Sequence, residues 1–506
     1  MLRRHPRHRR NERGYVLAVS AIIMVPLLAI AGMATDIGGW YAEGTKMQKA
    51  ADAAALAGVV WLPDLSKATS VALETSKSNG FDNDLPNIAI VVGQISGSDL
   101  RVTITDTGAP VFFSKFFMSS MTITRDAIGT YVLPVPLGSP RNYFGTGNLL
   151  PVAGDAREGF WAAVNGWCAP KEQGDPFAVG FEGNWPSSGQ MCPGSTVNGQ
   201  YTASPQDQYE YIINVPKARA QPIIVHLYSP AKTSTTPDQG DSSTITTNYA
   251  LHSPDSTPFN DDDNPVTSCT GTGESNPRSY ATNEVDNDAT FFSASGWSRF
   301  CTIPASAPAG KYILGVRSLE GQLNSNSFNN YSIIASYNGT GATCDGRSDA
   351  ACPAVFGKNW ISIFAAASTA AADFFLSEVG NEHAGKQMEI TLFDPGEGGN
   401  YISIKDPNGN TVDFTYRTAD GDYSGGPTEQ LDVSGCSGFP QPGPNRSSQC
   451  RFNERFVVLT VDLPSNYATV YPGQKWWKIY YNFSTAVNDR STWSVRILGD
   501  PVHLSR

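Results

Sequence analysis

The feature that most constrains this chain is a run of 21 uncharged residues, Gly14–Ala34, directly behind a head carrying six arginines (Arg3, Arg4, Arg7, Arg9, Arg10 and Arg13). A helix of that length rises roughly 30 Å, the hydrocarbon thickness of a bilayer. Pro26 lies inside the run, where a membrane helix tolerates a kink with help from its neighbours. Arginines on one flank predict a cytoplasmic head (residues 1–13), a transmembrane helix (14–35) marked by Gly14, Pro26 and Ala34, and export of the rest. The competing reading is a cleaved signal peptide with Ala29-Ile30-Ala31 as the cleavage site. The run exceeds the usual signal-peptide core of about 7–15 residues, so a retained anchor is expected. Both readings export the remaining chain.

Composition narrows what the exported part can be. Only 16 % of the 506 residues are charged, whereas 48 glycines, 34 prolines and 11 % aromatics suit short strands and turns better than helix bundles. The net charge is −11 in spite of the basic head, and an acidic body lacks the clustered Lys and Arg that phosphate contacts need. A nucleic-acid partner is therefore not expected. All eight cysteines (Cys168, Cys192, Cys269, Cys301, Cys344, Cys352, Cys436, Cys450) lie beyond the span. An even number in an exported, loop-rich chain predicts disulfides. Sequential pairing would join Cys168 with Cys192, Cys269 with Cys301, Cys344 with Cys352 and Cys436 with Cys450, one of many possible connectivities.

Behind the span the chain reads Asp36-Ile37-Gly38-Gly39-Trp40-Tyr41, then Gln48-Lys49-Ala50-Ala51-Asp52-Ala53-Ala54-Ala55-Leu56-Ala57-Gly58. Alanine favours helix most strongly, so the membrane helix should continue outward through this segment. Ala50, Ala54 and Gly58 recur every four positions, which permits close helix approach, either to another subunit or to the protein's own domain. A basic head, a membrane helix, an acid with a Gly-aromatic stretch and the Gln-x-Ala-Ala-Asp-Ala-Ala-Ala-Leu-Ala-Gly motif resemble the N-terminal signature of the Flp/Tad pilus-assembly TadE/TadG-like family. The resemblance runs to about residue 135. It implies a membrane-anchored, pilin-like α+β region (36–138) that works with other pilus-assembly or pilin-like subunits. One departure stands out. Pseudopilins of this system are cut after a glycine by a peptidase favouring Glu at the fifth mature position, and five residues past Gly14 stands Val19. A permanent anchor is expected instead.

Two tandem β-sandwich or jelly-roll modules are expected next, at 139–340 and 341–506, because the strand pattern repeats. Phe160–Val164, Tyr209–Pro216 and Ile223–Pro230 correspond to Trp360–Phe364, Asp373–Leu376 and Met388–Pro395. Later strands match as well, with Tyr331–Ala335 and Trp493–Ile497 closing the two copies. The fold class expected overall is mainly β with an N-terminal transmembrane helix.

Candidate chemistry is sparse. No GxxxxGK, GxGxxG, GxSxG, CxxC or HExxH occurs, and four histidines beyond the span leave little material for general-base catalysis. A non-enzymatic role is expected. The densest acidic cluster, Asp261-Asp262-Asp263, could offer oxygen ligands to calcium or form a solvated loop. TadG-like relatives often carry a von Willebrand A-type module with an Asp-x-Ser-x-Ser metal motif. The nearest approach here, Asp432-Val433-Ser434-Gly435-Cys436, ends in cysteine and is read as coincidence. Trp185 and Trp297 lie in Gly/Ser-rich stretches and are expected as exposed contact residues that could stack on surface glycans. The reading is thus a component of pilus assembly or tight adherence. The alternative is a carbohydrate- or wall-binding surface protein using the same anchor.

Overall fold

The computed structural model describes residues 13–62, 65–95, 99–131, 135–145, 159–167, 169, 174–177, 208–216, 220–231, 244–255, 261, 263–288, 291, 296–319, 327–337, 353–366, 369–396, 399–434, 451–452, 455–473, 475–485, 487–498 and 502–505. They are mainly β, with a long apolar helix at the N-terminus and no closed barrel among them. The chain divides into two units, Met1–Leu133 with Asp500–Arg506, and Pro134–Gly499.

In the smaller unit, helix α1 (Arg13–Val59) runs unbroken through Pro26. Its first half leaves Leu17, Ile22, Ile23, Leu27, Leu28 and Ile30 exposed, as a lipid-facing surface would. Its second half is amphipathic. Met47, Ala50, Ala51, Ala54, Ala55 and Val59 are buried at helical spacing. They face helix α2 (Leu65–Ser78) and strands β1 (Ile88–Gln94), β2 (Asp99–Ala109) and β3 (Met121–Tyr131), which run antiparallel in that order. Alternation places Leu100, Val102 and Ile104 of β2 in this core.

A fourth strand, Val502–Ser505, pairs antiparallel with β3, Val502 opposite Tyr131. Residues 500–506, expected in the second module, therefore belong to the smaller unit. Backbone pairing with the free edge of β3 explains it, and four residues are too few to carry a recognisable pattern. The larger unit is thus an insertion between two neighbouring strands of one sheet.

The larger unit carries the strand duplication. Strand Gly159–Asn165 pairs with Phe328–Tyr337, which pairs with Ile223–Tyr228, which pairs with Trp297–Ile303. Trp360–Ala366, Asn488–Ile497, Gln387–Phe393 and Phe456–Asp462 repeat that order. In the same way Tyr209–Val215, Gly310–Ser318, Thr247–His252 and Arg278–Tyr280 are matched by Ala371–Glu378, Trp476–Phe483, Gly399–Lys405 and Leu431–Asp432. Each copy thus splits its strands between two sheets. Their inner faces meet where Tyr211 packs on Tyr331 in one copy and Tyr481 on Trp493 in the other.

The copies are not separate modules meeting near residue 340. Corresponding strands Gly159–Asn165 and Trp360–Ala366 pair antiparallel, so one sheet of eleven strands spans both, and one continuous core fills them. Strand Ala354–Lys358 belongs with the first copy, against Tyr209–Val215. Asn359 then turns the chain at φ 60°, a left-handed conformation that asparagine tolerates, and Trp360 begins the second copy in the other sheet. The boundary is a one-residue corner, which explains why no linker composition marks it.

Candidate functional site

The residues that carry the Tad-type resemblance lie along one drifting face of α1, four apart. At Gly32 a Cβ would stand 2.5 Å from the Phe113 ring, so only glycine allows the ring to lie there. One turn on, Asp36 is buried and accepts three backbone N–H groups, from Phe112 (3.0 Å), Phe113 (2.9 Å) and Ser114 (2.6 Å). Burial pushes this carboxyl up, but the hydrogen bonds from Ser114, Phe112 and Phe113 outweigh it and hold it below the ordinary carboxylate range. The Trp40 indole donates to the carbonyl of Pro110 at 3.0 Å. Gln48 bridges Asp52 (2.8 Å) and the carbonyl of Asp126 on β3 (3.0 Å). Farther out, Gly129 of β3 lies so close to the helix that a Cβ there would stand 2.5 Å from the carbonyl oxygen of Ala55. The signature is a docking face, cut to let a loop and a sheet approach the helix backbone.

Comparison with known families agrees with this face. Residues 14–60 match the Tad family model, Flp pilus-assembly TadE/G-like. The matched segment is almost coextensive with α1 and stops before the sheet, short of residue 135, to which the sequence resemblance extends. No curated protein and no solved structure gives a significant match to the chain.

Within the Tad-like segment, the four-residue repeat does not offer a seam to another subunit. Ala50 and Ala54 are fully buried in the unit's own core. A Cβ on Gly58 would meet Leu100, the Ala68 carbonyl and Ala72 within 3.0 Å, so its close approach is to α2 and β2 of the same chain. The small residues serve folding rather than subunit association, because no solvent-facing side of them remains. Gly14, Pro26 and Ala34 all lie on α1, which is long and apolar enough to cross a bilayer.

The segment Val111–Met118, whose VFFSKFFM pattern reads as a short amphipathic helix or strand, carries no candidate role in the sequence. It is a loop with a single 3-10 turn, Ser114–Phe116, and it leaves Phe112, Phe113, Phe117 and Met118 exposed. The available signal was four phenylalanines within six residues of an otherwise polar stretch.

The remaining candidates lie in the larger unit. Trp297, expected on the surface, is buried against Phe291 and Tyr228, because its strand puts it on an inward position. Trp185 lies outside the described residues. Asp261 forms an ion pair with Lys358, which also holds Glu210 at 2.7 Å; Asp262 lies outside the described residues and Asp263 within them. Glu284 and Asp286 flank Arg278. Asp432 accepts the N–H (2.9 Å) and hydroxyl (2.6 Å) of Ser434 in a local turn and pairs with Arg451.

Cys269 and Cys301 are disulfide-bonded, the one expected pair within the described residues. Glu274 sits beside them, but oxidised sulfurs leave that trio without thiolate ligands for a metal. Cys168, Cys192, Cys344, Cys352, Cys436 and Cys450 lie outside the described residues. Where the two copies join, Asp175 is buried. It accepts the Tyr209 hydroxyl at 2.5 Å and the N–H groups of Asn165 and Phe177, while Thr492 donates to the Gly174 carbonyl. Burial raises its carboxyl in spite of these bonds. It is sealed from solvent, and beside it the bonds of Thr492 to the Gly174 carbonyl and to the Tyr209 hydroxyl (3.3 Å) link the two copies.

Proposed function

We propose that this protein is a non-enzymatic, single-pass membrane component of Flp/Tad-type pilus assembly or tight adherence. Its N-terminus is cytoplasmic, and it carries a duplicated β-sandwich unit, its two copies sharing one sheet, outside the membrane. The observation that carries the reading is the Tad match at residues 14–60, which falls on a helix with bare apolar residues in its first half and a fitted docking face in its second. Six arginines ahead of the span support the orientation. The inserted unit then serves as the exposed body, held by an anchor that assembles with other pilus-assembly subunits.

Deleting the gene should abolish or sharply reduce piliation, and restoring the full chain should bring it back. Normal piliation in the deletion strain, with specific glycan binding by the purified protein, would favour the carbohydrate-binding alternative. Orientation is tested separately by protease treatment of intact cells or spheroplasts, which should digest residues beyond Ala34. Protection of the β unit in both preparations overturns it.

A further inference from the structure

We infer that the loop Val111–Met118 is a second membrane contact, a wedge that seats Phe112, Phe113, Phe117 and Met118 in the outer leaflet beside the transmembrane helix. The inference rests on the reading of α1 as a membrane span and goes beyond it.

Depth is the first argument. Phe113 lies over Gly32, four residues and so about 6 Å of helix rise on the membrane side of Asp36. The loop is thereby fixed at the last turn of the uncharged stretch, where an outer leaflet would end. Four apolar side chains are exposed there, Phe112 at 76 % and Phe117 at 84 %, on a loop that touches the apolar stretch of α1 at Gly32. In water that surface would be a cost; at this depth it is covered by the same lipid that covers Leu28 and Ile30.

The backbone is the second argument. A loop can enter the acyl boundary only if its N–H groups are satisfied without water. Here Asp36 accepts three of them, from Phe112, Phe113 and Ser114, and the Ser114 carbonyl accepts two more, from Phe117 and Met118. The Asp36 carboxylate thus lies underneath the loop, buried against backbone donors rather than facing lipid. The side-chain order is the third. Exposed Lys115 sits among the apolar residues, where its long stem can carry the ammonium up to lipid phosphates, and Trp40 and Tyr41 stand one turn above Asp36, at the level of an aromatic belt. Two contacts fix tilt and rotation of the Tad-like unit on the membrane, which a single helix does not.

The test uses the full-length protein in vesicles of phosphatidylethanolamine and phosphatidylglycerol, spin-labelled at Phe117→Cys, at Ile23→Cys in mid-span, or at Asp84→Cys as a solvent-exposed reference. Collision of each label with oxygen, which concentrates in lipid, is compared with collision with a water-soluble nickel chelate. Labels at 23 and 117 should both favour oxygen, with a ratio several-fold above that at 84. A label at 117 that matches 84 while 23 stays lipid-like overturns the wedge and leaves the span standing. Labels at 23 and 117 that both match 84 overturn the span as well. Shielding of the 117 label from both reagents overturns the wedge in favour of a protein partner on the loop.

Discussion

The two units fill their cores by opposite means. Around the outer half of α1 the helix side of the core is mostly alanine, and glycines bring neighbouring elements close to it, as at Gly129 and Gly58. In the larger unit the largest fully buried side chains are mostly tryptophans and tyrosines, among them Trp297, Trp477 and Trp493, with rings meeting edge to face across the two sheets where Tyr211 and Tyr249 pack on Tyr331. A core of small residues gains contact by closeness and has no room for an added atom. An aromatic core gains it by volume and cannot lose one. The two should therefore fail under opposite substitutions.

The largest effect is expected of truncation in the aromatic core. Trp493→Ala removes a fully buried indole stacked on Tyr481 and should cost about 3–5 kcal/mol, read as a lower unfolding midpoint of the larger unit. Reducing the Cys269–Cys301 bond, whose partners are 32 residues apart, comes next at about 2–4 kcal/mol. Thermal melts with and without reductant would show it, and an unchanged midpoint would remove the disulfide from the account of stability.

In the smaller unit the sign reverses. Gly129→Ala adds one methyl and should destabilise by about 1–3 kcal/mol, because its Cβ would press on the Ala55 carbonyl, which cannot rotate away. A neutral result in denaturant titration would mean that helix and sheet can separate cheaply, and the contrast between the units would collapse.

A smaller, pH-dependent effect is expected at Asp36. Its folded pKa lies below the unfolded one, so its stabilisation is complete above the ordinary carboxylate range and is lost as pH falls through the folded value. Melting midpoints of wild type and Asp36→Ala should differ at neutral pH and converge in acid. Parallel curves would show that the carboxylate does not hold the loop.

The smallest effect on the smaller unit is expected of the largest deletion. Since Tyr131 and Val502 are paired, replacing everything between them with Asn-Gly should close a two-residue hairpin and leave amide protection in β2 and β3 nearly unchanged. Loss of that protection would mean that the inserted unit is required for the smaller fold.

The sequence by itself determined the span, its basic flank, the helix beyond it, the Tad-type resemblance of the N-terminal segment and the strand-by-strand duplication. Each is a local or periodic property, read along the chain without knowing what lies opposite. Hydropathy fixes a membrane-length helix because lipid leaves the backbone no alternative. Alternating strands repeat visibly because each must present one face inward. Tertiary structure alone decided which partner each face meets. Ala50, Ala54 and Gly58 read equally well as a seam between subunits or within one, and only the sheet behind them turned the spacing inward. Trp297 looked exposed among small polar residues until its strand position buried it. The C-terminal four residues closing the first sheet, the shared sheet joining the two copies and the N–H groups gathered by Asp36 join residues far apart in the chain. Such contacts depend on backbone geometry and on edges left open elsewhere, and no composition or spacing at either end records them.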